Sequence, residues 1–235
     1  MSEEKKTLKI GILALQGAFR EHGDMLKRFG IVDVVEVRKP EQLDSLHGLI
    51  IPGGESTAFA IIGRRLKMFD ALKKWIESKK PTWGTCAGLI VLANNVDGQK
   101  KGGQNLVGGL DVVVRRNYFG AQIASFEADI SPPPSWSSKT PNFMECDRSP
   151  TKRFRTSDGS AKSSIPFPGV FIRAPAIVKI IEGEELAAVE GKDGETVPIA
   201  VRQGHILGTS FHPELTDDHR WHGYFVEMVE KKLST

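Results

Sequence analysis

The chain has 235 residues, of which 40% are apolar and 26% are charged. This composition is usual for a globular protein, and the length suits one large α/β domain. The formal net charge of +3 comes entirely from residues 131–168, because the rest of the chain holds 26 basic and 26 acidic residues. No basic face is left to follow a phosphate backbone, so we expect no nucleic-acid binding.

Membrane insertion and export are also disfavoured. No stretch approaches the roughly 18 apolar residues of a membrane helix. The apolar run 10–15 ends at Gln16 and is too short for a signal peptide. Two cysteines, Cys86 and Cys146, cannot form a disulfide framework. We therefore expect a cytoplasmic protein with no membrane contact.

The first half of the chain alternates strands and helices. Strands are predicted at 8–15, 32–37, 48–51 and 81–85, and helices at 19–29, 66–79 and 87–94. This alternation predicts an α/β fold of three layers, in which a mostly parallel central sheet has helices on both faces. Ligands of such sheets bind outside the carboxyl ends of the strands.

The sequence pattern of the second half of the chain predicts a smaller antiparallel strand region and a final helix. Its strands are expected at 110–115, 122–130, 170–173, 176–181, 186–190, 197–202 and 206–211, and its helix at 217–232. Residues 131–168 hold seven of the 13 prolines and nine serines. We expect this segment to be a disordered surface insertion in a single domain spanning 1–235.

The strongest local signal is Cys86, at the predicted junction of a strand and a helix. Gly84 and Gly88, two positions to either side, allow the tight turn of a nucleophile elbow. A helix N-terminus favours a thiolate, and the Ala87 N–H would face the developing oxyanion. The alternative is a small buried cysteine beside a tight turn, as most free cysteines are.

His212 and Glu214 form the second signal, since His212-Pro213-Glu214 follows the last predicted strand. Pro213 favours extended backbone at His212, and residues two apart in an extended segment point the same way. We therefore expect Glu214 to orient the His212 imidazole, which would serve Cys86 as general base. A surface turn is the alternative interpretation.

A pair of glycines, Gly53 and Gly54, follows another buried strand. They permit close approach of the backbone to a ligand, and the Gly54 N–H can supply a second oxyanion donor. The alternative is a plain strand-to-helix turn capped by Ser56 or Thr57.

A metal site near the last helix is a further alternative. Its ligands would come from Asp217, Asp218, His219 and His222. A capped and solvated first helical turn explains these residues as well, so no metal site is predicted.

Taken together, the cysteine elbow, the glycine pair and the His-Pro-Glu segment resemble the class I, triad-type glutamine amidotransferases, which have a flavodoxin-like fold. Further strings resemble the glutaminase subunit of pyridoxal 5′-phosphate synthase. They are LALQGA at 13–18 with REH at 20–22, PGGEST at 52–57, GTCAGL at 84–89, RNYFG at 116–120, SFEADI at 125–130, GVFIRAP at 169–175 and SFHPELTDDHR at 210–220. The resemblance covers nearly the whole chain on both sides of the expected insertion.

This resemblance implies hydrolysis of L-glutamine to glutamate and ammonia through a cysteine thioester. Cys86 would be the nucleophile, His212 the base and Glu214 the residue that orients it. The implied glutamine-binding residues are Gly53, Gly54, Glu55, Arg116, Ile172 and Arg173. A guanidinium suits the α-carboxylate of the substrate.

The partner implied by the resemblance is a (β/α)8-barrel synthase, which combines the ammonia with ribose 5-phosphate and glyceraldehyde 3-phosphate. The glutaminase subunit itself would need no cofactor. Two departures bear on how the synthase docks: many relatives have a short connection in place of residues 131–168, and many carry arginine where Ala121 stands.

Two rival interpretations remain open on the sequence. One is a cysteine hydrolase or glutaminase of another pathway, which assays on peptide or γ-glutamyl substrates would reveal. The other is an α/β binding subunit with an inert cysteine, which would ignore a glutamine-like electrophile.

Overall fold

The computed structural model describes residues 7–98, 106–119, 125–134, 165–191 and 193–235, apart from the side chains of residues 56–58. Its strands are β1 (Leu8–Leu13), β2 (Val32–Val37), β3 (Gly48–Ile51), β4 (Thr82–Thr85), β5 (Ala93–Asp97), β6 (Leu110–Arg115), β7 (Ser125–Ile130), β8 (Phe167–Ile172), β9 (Ala176–Ile180), β10 (Glu184–Glu190), β11 (Thr196–Gln203) and β12 (Ile206–Thr209). Its helices are α1 (Phe19–Lys27), α2 (Ser56–Arg65), α3 (Met68–Glu77), α4 (Ala87–Leu92) and α5 (Arg220–Leu233), with 3-10 turns at Pro40–Leu43 and Pro213–Leu215.

The central sheet has seven strands in the order β10, β11, β12, β4, β3, β1, β2. The five from β12 to β2 are parallel, whereas β11 is antiparallel to both of its neighbours. Because β3, β4 and β12 are parallel neighbours, the residues that follow Ile51, Thr85 and Thr209 meet at one edge of the sheet. The predicted mostly parallel central sheet is confirmed.

The two faces of this sheet are covered by different helices. Ile50 of β3 packs in one buried cluster with Leu26 of α1 and Phe225 of α5, whereas its neighbours Leu49 and Ile51 pack with α3 and α4. Successive side chains of a strand point to opposite faces, which gives a core on each side. Each fully buried side chain of this size stabilises the fold by about 1.5–3 kcal/mol.

The smaller strands form two further sheets, which differ in part from the prediction. One has the order β5, β6, β9, and the other is the β7–β8 ribbon. The pairing of β6 with β9 and of β7 with β8 is antiparallel, as predicted, but β5 and β6 are parallel. The prediction also missed β5 and α2, and it continued the helix after Cys86 to residue 94. Asn94 instead pairs with Asp111 and the Gly109 N–H, which holds β5 against β6.

The expected insertion 131–168 ends too late in the sequence. Phe167 and Pro168 already belong to β8, and Phe167 is fully buried against the rings of Phe211 and Trp221. Prolines at 166 and 168 concealed this strand, because proline removes a ladder donor and argues against a strand. Residues 135–164 of the expected insertion lie outside the described residues.

Within the part of the chain that the structure describes, none of the helices is long and apolar enough to cross a membrane.

Candidate active site

Cys86 occupies the sharp turn between β4 and α4. Its backbone has φ 49° and ψ −103°, and a positive φ is unfavourable for any residue with a Cβ atom. Its N–H donates to the carbonyl oxygen of Thr209, at the end of β12, over 2.8 Å. The adjacent strands therefore hold the turn in a strained conformation, as is common at reactive residues.

The glycines on either side of Cys86 are required by close packing. A Cβ atom at Gly84 would lie 2.6 Å from the carbonyl carbon of Gly88, and one at Gly88 would lie 1.9 Å from the carbonyl oxygen of Ile51. Both obstacles are main chain and cannot rotate away. The predicted reason for these two glycines is confirmed.

His212 and Glu214 form a buried pair beside this turn. The Nδ1 atom of His212 lies 2.7 Å from Oε1 of Glu214. The His212 N–H also donates to the carbonyl oxygen of Val170 in β8, over 2.8 Å. The predicted contact between the two side chains is confirmed.

The backbone that creates this contact differs from the prediction. His212 has φ −107° and ψ 85°, outside the helical region, but Pro213–Leu215 form a 3-10 turn instead of an extended segment. Proline at the first position of such a turn is favoured, because its φ is already suitable and its missing N–H is not needed there.

The loop after β3 brings Gly53 against both catalytic candidates. A Cβ atom at Gly53 would lie 2.5 Å from Cε1 of His212 and 3.1 Å from Cβ of Cys86. The Gly53 N–H donates to Oγ1 of Thr85 over 3.0 Å, so it is turned away from a substrate oxyanion. Gly53 is therefore a spacer between Cys86 and His212.

Two N–H groups remain as oxyanion candidates, those of Gly54 and Ala87. Gly54 has φ 152°, a conformation that favours glycine, and the next N–H, of Glu55, donates to Oε1 of Gln16 over 2.7 Å. Ala87 is the first residue of α4, and N–H groups in the first turn of a helix lack acceptors within that helix.

The predicted glutamine-binding residues of the second half lie on neighbouring strand ends. The carbonyl oxygen of Ile172 lies 3.9 Å from Sγ of Cys86. Arg173 follows with φ 43°. Arg115 pairs with Ala176, which places Arg116 beside the segment between Arg173 and β9. The main chain at the end of β8 thus reaches the thiol directly.

Charge is unevenly distributed between the two halves of the His–Glu pair. Burial alone would lower the pKa of His212, but hydrogen bonds with Cys86 and Glu214 raise it to about 10. Burial also favours a protonated Glu214, yet His22 and His212 hold the pKa of its carboxyl below the ordinary value. At neutral pH the pair is an imidazolium and a carboxylate.

Sequence reasoning gave no role to His22. The structure places it on α1 with no exposed surface, its Nε2 atom 3.3 Å from Oε2 of Glu214 and its Nδ1 atom 2.9 Å from Nε2 of His222. A signal was present, because His22 shares a helical stripe with Met25, Leu26 and Phe29. A histidine in such a stripe is buried among apolar residues and needs polar partners there.

The structure separates the residues that were weighed as metal ligands. His222 is fully buried against His22, whereas Asp218 pairs with Arg220 at the start of α5, which begins three residues later than predicted. Across the described ranges, no group of three His, Cys, Asp or Glu side chains is arranged to hold a metal ion.

Comparison with known proteins gives a consistent assignment. The model of the SNO glutamine amidotransferase family matches residues 12–133 and 151–231. A probable pyridoxal 5′-phosphate synthase subunit PDX2 from Arabidopsis thaliana is 42% identical over 244 residues, covering 95% of this chain and 87% of its own. A pyridoxal 5′-phosphate synthase subunit PdxT from Dehalococcoides mccartyi is 43% identical, covering 95% of this chain and 98% of its own.

A solved structure is similar over the same length. The crystal structure of a glutamine amidotransferase superposes with a TM-score of 0.73 at 39% sequence identity, covering 94% of this chain and 98% of its own.

Proposed function

The chain belongs to the SNO glutamine amidotransferase family, and we propose that it hydrolyses glutamine and supplies the ammonia to a pyridoxal 5′-phosphate synthase. The observation that carries this proposal is the strained Cys86 beside the charged His212–Glu214 pair. Relatives that are 42–43% identical over nearly the whole chain bear the name of synthase subunits.

The proposed reaction begins with an ion pair between the Cys86 thiolate and the His212 imidazolium. The sulfur attacks the side-chain amide carbon of glutamine. The N–H groups of Gly54 and Ala87 donate hydrogen bonds to the negatively charged oxygen that forms. His212 gives its proton to the departing nitrogen, which leaves as ammonia. The product is a thioester on Cys86.

The second half of the reaction returns the enzyme to its starting state. Neutral His212 takes a proton from water, which attacks the thioester carbon and releases glutamate with the thiolate restored. Glu214 keeps the imidazole in one orientation and stabilises its charged form in both steps.

Substrate binding is proposed for the strand ends around the thiol. The guanidinium groups of Arg116 and Arg173 suit the α-carboxylate of glutamine, since arginine can bind a carboxylate through two hydrogen bonds. Gly53, Glu55 and Ile172 would line the remaining walls. No cofactor is proposed for this subunit.

The proposed partner is a (β/α)8-barrel synthase. Support comes from the names of the relatives, which call them synthase subunits, and from the resemblance of the motifs. We also propose a cytoplasmic location, because a reducing compartment keeps the Cys86 thiol free to react.

The test is an assay of ammonia release from glutamine, with and without the cognate synthase. Glutamine hydrolysis that needs Cys86, and ammonia that enters pyridoxal 5′-phosphate, would support the proposal. Activity on peptides or γ-glutamyl substrates alone would indicate another cysteine hydrolase. Failure of a glutamine-like electrophile to label Cys86 would indicate an inert binding subunit.

A further inference from the structure

A row of buried polar side chains lies behind the His212–Glu214 pair. Oε1 of Glu214 meets His212, but Oε2 is buried and has no hydrogen bond from any residue that the structure describes. The Nε2 atom of His22 lies 3.3 Å from this oxygen, and neither side chain has exposed surface. A buried carboxylate oxygen without a donor is costly, so the partial positive charge of an N–H only 3.3 Å away stabilises the carboxylate even without a hydrogen bond.

The contacts of His22 determine which ring nitrogen carries its proton. Burial lowers the pKa of His22 and of His222, so both rings are neutral and each has one N–H. A lone pair on Nε2 of His22 would repel the Glu214 carboxylate, whereas a proton there attracts it. With that proton on Nε2, the Nδ1 atom of His22 accepts a hydrogen bond from Nε2–H of His222.

The remaining nitrogen of His222 agrees with this arrangement. Its Nδ1 atom is buried with no hydrogen-bond partner among the described residues. In the tautomer just assigned it is an unprotonated acceptor. Buried acceptors without partners are tolerated more often than buried N–H groups without partners.

A second contact links His22 to the glycine loop. Oγ1 of Thr85 lies 3.3 Å from Nε2 of His22 and accepts the N–H of Gly53 over 3.0 Å. The same nitrogen of His22 thus faces the residue that orients His212 and the residue that holds the spacer between His212 and Cys86.

We propose that His22 is a positioning residue for the reaction: its Nε2–H fixes the Glu214 carboxylate so that Oε1 stays aligned with His212. This inference deepens the proposed function and rests on it for its kinetic test. His22 touches neither the thiol nor the proposed substrate site, and of its contacts with Glu214 and Thr85 we assign its effect to Glu214.

Other charged groups also surround the His22–Glu214 pair. His22 and His212 face Glu214 directly, and Glu21 acts on His22. The cleft on the outer side of Glu214 is lined by further charged groups, namely Glu21, Asp24, Arg28 and Asp217. The variants below leave all of these unchanged.

Two substitutions of His22 separate positioning from packing. The amide nitrogen of His22→Gln can reach the place of Nε2, whereas that of His22→Asn can reach only the place of Nδ1. We expect His22→Asn to lower kcat about tenfold with KM changed less than about twofold, and His22→Gln to recover most of the loss. His205→Asn, at a half-buried ring bonded to the Ile76 carbonyl, is the matched control.

The dependence on pH gives a readout that simple destabilisation would not move. At the acid pH where Glu214 titrates, a protonated His22 lowers the pKa of the Glu214 carboxyl through its charge, so its removal raises that pKa and Glu214 becomes protonated at a higher pH. The acid limb of the activity profile should therefore move to higher pH in His22→Asn. It should stay in place in His205→Asn.

The decisive test is non-additivity with Glu214→Gln. If His22 acts through Glu214, adding His22→Asn to Glu214→Gln should cause little further loss of kcat. Losses that multiply in the double variant, or a His22→Asn enzyme with the kcat and pH profile of the parent, would overturn the proposal.

Two measurements keep this inference separate from the proposed function. The rate at which iodoacetamide alkylates Cys86, followed by mass spectrometry of its peptide, needs no glutaminase activity. It should fall in His22→Asn and be unchanged by that substitution in a Glu214→Gln background. Nitrogen chemical shifts of the His22 ring in the unaltered protein give its tautomer, and a proton on Nδ1 would overturn the proposal even if no variant folds.

Discussion

The two halves of the site are held in place by different parts of the chain. Cys86 is fixed by main chain: Thr209 accepts its N–H, and Gly84 and Gly88 pack against backbone on either side. His212 and Glu214 rely more on buried side chains, of which His22 lies nearest to the second carboxylate oxygen in the contacts described above.

This difference predicts how each half responds to substitution. A half held by main chain tolerates the loss of its own side chain but not an added atom at its glycines. A half held by side chains loses alignment when one polar group is removed, although the backbone keeps its course. The experiments below test this contrast.

The largest effect is expected for Cys86→Ala. Removing the thiol should lower glutaminase activity by at least about 10⁴-fold. The melting temperature should stay within about 2 °C of the parent, because the turn is held by main chain. Ammonia release and a thermal melt measure the two quantities. Retention of full activity would mean that Cys86 is not the nucleophile.

Substitutions in the other half should be graded. His212→Asn removes the proposed base and should be nearly as severe as Cys86→Ala. Glu214→Gln keeps the shape of the side chain, so its loss of kcat should be smaller by about one to two orders of magnitude. About the same difference separates the loss of the acidic residue from the loss of the other members in known triads. Equal losses in a steady-state assay would show that orientation and proton transfer cannot be separated here.

Gly88→Ala should destabilise the fold. Its Cβ atom would lie 1.9 Å from the Ile51 carbonyl oxygen, so α4 must shift, at a cost of about 3 kcal/mol or more. The control is Gly23→Ala on α1, whose Cβ atom would meet Ile12 at an ordinary 3.5 Å. Urea unfolding of both variants should show a lower midpoint for Gly88→Ala alone.

A moderate effect is expected from the synthase. The Gly53 N–H is held by Thr85 and the Glu55 N–H by Gln16, which leaves Gly54 to supply the oxyanion donor of this loop. A partner surface pressing on the loop can select its productive conformation. We expect the synthase to raise kcat/KM at least about tenfold. Equal activity of the isolated and assembled protein would exclude such control.

The smallest effect is expected from deleting residues 135–164. Ile130 pairs directly with Phe167 across the β7–β8 ribbon, so a short turn can join the two strands. The cost of closing a loop changes only slowly with its length, and stability should therefore be close to that of the parent.

A longer deletion provides the contrast. Removing residues 131–168 also removes the buried Phe167, and loss of a buried Phe side chain costs about 3–5 kcal/mol. Equal thermal melts for the two deletions would show that Phe167 contributes little to the core.

Local patterns predicted much of the fold and one half of the site. The strands β2, β3 and β6 have the predicted bounds, because their apolar runs are short and end at clear turns. Cys86 could be identified because its glycines stand two positions away in the sequence. Signals of this kind lie within a few residues of the feature they describe.

The remaining features depend on contacts between distant parts of the chain. His22 and His222 meet across 200 positions, and their pairing leaves no local pattern in either helix. β5 depends on its pairing with β6, to which the contact between Asn94 and Asp111 adds, and the short run before it favours a helix just as well. The 3-10 turn after His212 was missed because proline fits both a helical turn and an extended segment.

The place of β12 in the sheet has a consequence for synthesis of the protein. This strand lies between β11 and β4, and it supplies both the acceptor for the Cys86 N–H and the route to His212. A chain still emerging from the ribosome holds Cys86 long before residues 206–214 appear. The contacts between these two segments cannot form before both have been made. If Cys86 and His212 act together as proposed, a nascent chain would release no ammonia until almost all of it has been made.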